Sequence, residues 1–142
     1  MLESTSFIER HFRVEESGIP VTDQLAMETG LSNRCIKQAM RKGAVWHSRG
    51  KSTRRIRRCS KQIKKDDFLH IYYDPKILRI EPPSPKLVGD EKGYSVWYKP
   101  FGLRSQGSKW GDHCTVHRWI ESHYMPQRPA FMVHRIDRAA TG

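Results

Sequence analysis

Three stretches of the chain carry side chains whose types and spacing could do chemistry. From Arg34 to Lys65 there are 13 lysines and arginines, half of the 26 in the chain, and no aspartate or glutamate. Arg34, Lys37, Arg41, Lys42, Arg54, Arg55, Arg57, Arg58 and Lys61 are the candidate phosphate-binding residues of this stretch. A charge run is ordinarily a solvated face with acids interspersed. Without acids, like charge is destabilising unless a polyanion neutralises it. In the second stretch, His134, Arg135, Ile136 and Asp137 bring an imidazole, a guanidinium and a carboxylate together within four residues. Taken alone, an Arg and an Asp so spaced make a surface ion pair. The third stretch holds His113, Cys114, His117 and His123, donors that zinc accepts. Adjacent His113 and Cys114 are awkwardly placed for one ion, and Trp119 and Ile120 intervene between His117 and His123 on a helix. No metal and no other cofactor is expected.

The formal charge of +11 reinforces the polyanion reading, with nucleic acid as the leading partner. No run approaches the roughly 18 apolar residues of a membrane helix, and the amino terminus lacks the apolar segment of a secretory signal. The three cysteines, Cys35, Cys59 and Cys114, are far apart and odd in number, which speaks against a disulfide framework. These features place the chain in the cytoplasm, with no membrane contact and no obligate protein partner.

The elements that must display the cations can be read from capping and periodicity. Asp23 to Met27 forms a short helix ended by Gly30, and Ser32 caps a second helix running to about Lys42 and closed by Gly43. In that helix Cys35, Ile36, Ala39 and Met40 fall on one face while Arg34, Lys37, Gln38 and Arg41 face outward. Ala44 to His47 reads as a short strand, followed by a basic loop containing Gly50 and running through Arg58. The turn residues Lys65, Asp66 and Asp67 precede a strand over Phe68 to Tyr73.

Pro75, Pro82, Pro83 and Pro85 mark a tether, since proline cannot continue a helix or a central strand. Beyond it, Tyr94 to Lys99 alternates as a strand and turns through Pro100 and Gly102. Thr115 caps a helix of about Val116 to Tyr124, and Phe131 to Val133 forms a short apolar strand leading to His134. The tryptophans at 46, 97, 110 and 119 read as core or loop anchors before base-stacking platforms, although Trp110 suits either role.

The stretch VTDQLAMETGLSNRCIKQAMRKGAVWHSRGK, followed by IKKDDFLHIYY, resembles the S4-type RNA-binding domain, in which two helices and a small sheet press a basic helix face onto structured RNA. Its loop STRRIRRCSKQIKK is more arginine-rich than that fold requires, and arginine suits forked phosphate contacts and stacking on splayed bases. Two later segments, YSVWYKPFGL and MVHRIDRAATG, resemble the leading motifs of the RluA family of pseudouridine synthases in their order and their spacing. The departures are Ile136 for Leu, and Ala139, Ala140 and Thr141 where an acid, Thr and Ser are usual.

The resemblance implies an α+β architecture: a small S4-like RNA-binding domain followed by the N-terminal part of a mixed-sheet pseudouridine synthase catalytic domain. The expected boundaries are an N-terminal extension at 1–18, the RNA-binding domain at 19–74, a Pro-rich linker at 75–92 and the start of the catalytic domain at 93–142. The activity implied is isomerisation of a uridine in ribosomal or transfer RNA, without cofactor. The base is cut from its sugar and rejoined through a ring carbon. Asp137 corresponds to the catalytic aspartate, and a carboxylate suits attack at an electron-poor sugar carbon or proton abstraction beside it. Arg135 corresponds to the residue that fills the space left by the flipped base, and His134 braces the loop or touches phosphate. Members of the family need a further stretch carrying a tyrosine against the base and a basic partner for the aspartate. The natural product is therefore expected to extend past Gly142, and residues 1–142 to bind RNA with little or no turnover. A noncatalytic RNA-binding or regulatory protein built on the S4-like half is the alternative.

Overall fold

The computed structural model describes residues 6–142; residues 1–5 of the expected extension lie outside the described residues. The protein is a small α+β chain with antiparallel sheets. It divides into two units: the chain up to Arg79 together with Lys109–Gly111, and Ile80–Ser108 together with Asp112–Gly142.

The first unit contains strand β1 (Ile8–Arg13), helices α1 (Val21–Thr29) and α2 (Asn33–Arg41), strands β2 (Val45–Arg49), β3 (Ser52–Arg55) and β4 (Phe68–Tyr73), and a one-turn helix α3 (Pro75–Leu78). Val21 and Leu25, one turn apart on α1, are both fully buried. Gly30 ends α1 in the left-handed region at φ 74°, where its N–H reaches the Ala26 carbonyl. The Ser32 hydroxyl caps α2 by accepting from the Cys35 amide at 3.2 Å. Ile36, Ala39 and Met40 are buried, which leaves Arg34, Lys37 and Arg41 on the solvent side of α2. The four strands pair antiparallel in the order β1-β4-β2-β3. Val45, Leu69 and Ile71 point from the sheet into the same cluster as Leu25, Ile36 and Met40, so the helices cover one face of the sheet.

Ile8–Arg13 pairs along its length with β4, so part of the expected extension is an edge strand of this unit. Its inward residues Ile8 and Phe12 pack on the core, but glutamate, arginine and histidine between them disguise the alternation. The loop expected after Gly50 likewise contains a strand, because Arg49 to Trp46 offers a ladder for Ser52–Arg55. Pro75 occupies the first turn of α3, where its missing N–H costs no bond, and Leu78 is buried in the core. The Pro-rich stretch is thus in part folded structure.

The second unit contains strands β5 (Lys86–Asp90) and β6 (Ser95–Tyr98), joined as an antiparallel pair with a bulge between Leu87 and Gly89, and helix α4 (Val116–His123). The Thr115 hydroxyl caps α4 by accepting from the Arg118 amide. In place of the expected strand over Phe131 to Val133 there is irregular chain, with Phe131 and Val133 about nine-tenths exposed at 90% and 92%. Among the described residues no ladder borders it, and apolar composition alone does not make a strand. Among the described residues no helix is long and apolar enough to cross a membrane.

One buried carboxylate ties the first unit together. Asp67, 4% exposed, accepts from Arg49 Nε and Nη2 at 3.0 and 2.7 Å, from His47 Nε2 at 2.8 Å and from the Lys64 amide at 2.9 Å. The Arg49 guanidinium, with the Lys64 amide and His47, holds its carboxyl well below the usual carboxylate range against the opposing effect of burial. A depressed carboxyl contributes stability that is present above about pH 4 and lost as pH falls toward the folded-state value. Asp67→Asn should lower the unfolding free energy of this unit by about 3 kcal/mol, measured by urea denaturation at neutral pH, and should flatten its loss of stability below about pH 4. Unchanged denaturation would show that the network carries no net stability.

Candidate functional site

The first unit gathers cations from two elements. Arg34, Lys37 and Arg41, spaced along one side of α2, face Arg57 and Arg58 from the segment after β3 across an open concavity of about 640 Å³. Cys59 and Ser60 complete its lining. Ile56 and Ile63 anchor the two ends of that segment in the core, which holds the intervening arginines beside the helix. Arg57 is braced by a bond from Nη1 to the Arg41 carbonyl at 3.4 Å. Among the described residues no ion pair joins Arg34, Lys37, Arg41 or Arg58 to an acid, so the concavity keeps its positive potential. Guanidinium groups in such a cluster match phosphate oxygens in forked geometry.

Four of the sequence-predicted cations stand apart from this concavity. Lys42 donates its ammonium to the Leu78 carbonyl, and Arg55 donates Nε to the Gly43 carbonyl at 2.8 Å while lying 4.2 Å over the Trp46 ring. These two tie elements together. Arg54 on β3 and Lys61 are exposed beyond the concavity's lining.

The second unit brings the two later motifs side by side. After β6 the chain turns through Gly102, at φ 86°, and the segment ending at Gly142 runs along it. Lys99 N donates to the Gly142 carbonyl at 2.7 Å and Gly142 N returns a bond to Lys99 at 3.2 Å, while Gly102 N donates to the Arg138 carbonyl at 2.9 Å. The Ser105 hydroxyl bonds both ways with the Ile136 backbone, at 2.7 and 3.0 Å. Asp137 begins a turn closed by Ala140 N, and its side chain is exposed. Arg135 donates Nη1 to Gln106 at 3.1 Å, and His134 is exposed.

Beneath this turn lies a residue to which the sequence reading assigned no role. Lys99, 2% exposed, directs its ammonium to the carbonyls of Leu103 at 2.7 Å, Arg138 at 3.3 Å and Pro100 at 3.4 Å. Burial pushes its pKa down, and the Asp137 carboxylate opposes that shift, so the buried cation and the exposed anion attract one another. The only signal in the sequence was a lysine closing an alternating strand and preceding a proline.

The third group of donors is dispersed. His113 and Cys114 both reach the Ile80 carbonyl, His117 faces the Ser105 carbonyl, and His123 bonds to the Trp119 carbonyl and stacks on its ring at 4.4 Å. Among the described residues no three His, Cys, Asp or Glu side chains are grouped to hold a metal ion.

Lys99→Met keeps the stem and removes the donors, leaving the buried Leu103 carbonyl without this partner and the Arg138 carbonyl with the Gly102 amide alone. Amides of Gly102, Ile136 and Gly142 should then exchange with deuterium roughly tenfold faster, while those of β4 keep their protection. Equal exchange in all of them would show that Lys99 does not hold the Asp137 turn. No family model matches this chain, and no curated protein is similar to it.

Proposed function

We propose that the chain binds structured ribosomal or transfer RNA through an S4-like first unit and presents Asp137 as the nucleophile of an RluA-type uridine-to-pseudouridine isomerisation. The observation that carries this reading is the pairing of the two motif segments: Lys99 to Ser105 and Ile136 to Gly142 are joined by backbone and hydroxyl bonds, with Asp137 on the turn above the Lys99 ammonium. In this reading the cations of α2 and Arg57 and Arg58 hold phosphates. Arg135 enters the space left by the flipped uridine, and its contact with Gln106 is exchanged for stacking on neighbouring bases. His134, exposed beside it, touches phosphate. Asp137 attacks the sugar carbon or takes a proton beside it, and both routes need its carboxylate ionised.

A noncatalytic RNA-binding protein is the second reading. It is favoured by the exposure of Asp137, because a carboxylate in open water has no preorganised pocket around its reacting atom. Residues 1–142 alone should therefore turn over little.

Binding and chemistry separate in one set of measurements. Replacing Arg57 and Arg58 by Gln should weaken binding to a ribosomal or transfer RNA transcript and reduce the slope of log affinity against log salt by roughly 0.7 to 0.9 per lost phosphate contact. Asp137→Asn should leave that affinity unchanged and abolish any tritium release from uridine-labelled RNA. Tritium release that survives Asp137→Asn would remove the aspartate from the mechanism, and RNA affinity indifferent to salt and to the arginines would remove the interface.

A further inference from the structure

We propose that the helix-free face of the first unit's sheet is a second RNA contact, a surface on which unpaired bases stack, centred on Phe68 and His70; the proposal rests on the reading of this unit as RNA-binding. Strand register places the side chains of that face in rows. Arg13, Phe68, Ser48 and Thr53 lie across the four strands in one row, and His11, His70, Trp46 and Arg55 lie in the next. Tyr72 follows on β4 opposite Glu9. Rings therefore occupy every outward position of β4, an inner strand of the sheet, at spacing two. Phe68 is 44% exposed, although an inner strand is the place where a phenylalanine is most readily covered.

The face is held rigid. A relay of polar contacts crosses all four strands: Glu9 to His11 at 3.0 Å, His11 to His70 at 2.9 Å, His70 to Ser48 at 2.8 Å and Ser48 to Thr53 at 2.7 Å. It fixes the plane of the His70 ring, and the Phe68 ring lies within 15° of that plane at 6.5 Å between centres. Rings fixed before binding lose little rotamer freedom when a base lies on them. Arg55 over Trp46 and Lys109 over Tyr72 show that cations and rings already associate here.

The chemistry of the border selects the occupant. Lys51 at the turn of the neighbouring β2–β3 hairpin, Arg55 over Trp46 and Lys109 over Tyr72 border the rings, so the strand backbone of a nucleic acid is attracted to the edge of the ring surface. A duplex keeps its base faces stacked on one another, whereas an unpaired segment can offer them to aromatic side chains. Single-stranded RNA is the ligand that fits both the rings and the cations.

Fluorescence anisotropy of a short labelled oligouridylate with the full chain tests this. Phe68→Ala should weaken binding roughly fivefold to a hundredfold, and Phe68→Trp should bind as the wild type does. An abasic strand of equal length should bind the wild type as weakly as the oligouridylate binds Phe68→Ala. The salt slope should be unchanged by Phe68→Ala, because no phosphate contact is lost. Oligouridylate affinity unaffected by Phe68→Ala, or an equal loss on the abasic strand, would overturn the proposal. Should the arginine variants still weaken binding to folded RNA in that case, the RNA-binding reading stands without it. Absence of all RNA binding by the wild type would overturn both. Sedimentation showing a self-association that Phe68→Ala abolishes, with RNA affinity untouched, would assign the face to a second copy of the chain and overturn the stacking surface.

Discussion

The geometry of the first unit depends on the Asp67 carboxylate. A stretch with 13 cations and no acid must still fold back on itself, and Asp67, two residues past its end, is the buried counter-charge that lets it do so. By accepting from His47 and Arg49 on β2 and from the Lys64 amide, it fastens the start of β4 to the middle of β2 and closes the segment after β3. Removing a carboxylate from water is costly, and four donors are what offset that cost. The same closure brings Arg57 and Arg58 beside α2. The backbone cooperates: Asp66 sits at φ 72°, a conformation that aspartate tolerates better than most residues, and Val14 bonds to both Asp66 and Asp67.

The second unit solves the opposite problem. It buries the cation Lys99, whose donors are met by backbone carbonyls, so the charge is solvated by dipoles and attracted by an exposed anion. A neutral side chain there would satisfy fewer of those carbonyls. Two segments some thirty residues apart are thereby locked into one turn, and whatever Asp137 does, its backbone is placed by Lys99 and Ser105.

What was legible in the sequence follows from how many neighbours each element has. The Phe68–Tyr73 strand, paired on both sides, and α2, with a cap and a buried stripe, carried clear periodic signals. The edge strands Ile8–Arg13 and Ser52–Arg55 did not, because an edge exposes most of its side chains and is rich in charge. Among the cations, helical spacing marked Arg34, Lys37 and Arg41 as one face. The different fates of Lys42 and Arg55 depend on carbonyls 36 and 12 residues away, and no local pattern encodes such partners. The burial of Lys99 was hidden for the same reason.

On the proposed reading, the two surfaces of the first unit divide the work that recognition of a folded polyanion requires. On the helix side Arg34, Lys37, Arg41 and Arg58 leave positive charge available to phosphates. Rings are offered on the sheet side, where the His11–His70–Ser48 relay holds the face still. His70 cannot carry charge readily in that setting: burial, then His11 and His47, push its pKa below the ordinary histidine value. The centre of the sheet face therefore stays neutral, with Arg55, Lys109 and Glu9 at its border. On the proposed reading a ligand on the sheet face gains from stacking at the centre and from charge only at the edge, while on α2 it gains from charge throughout, so salt weakens the α2 contact more than the sheet contact.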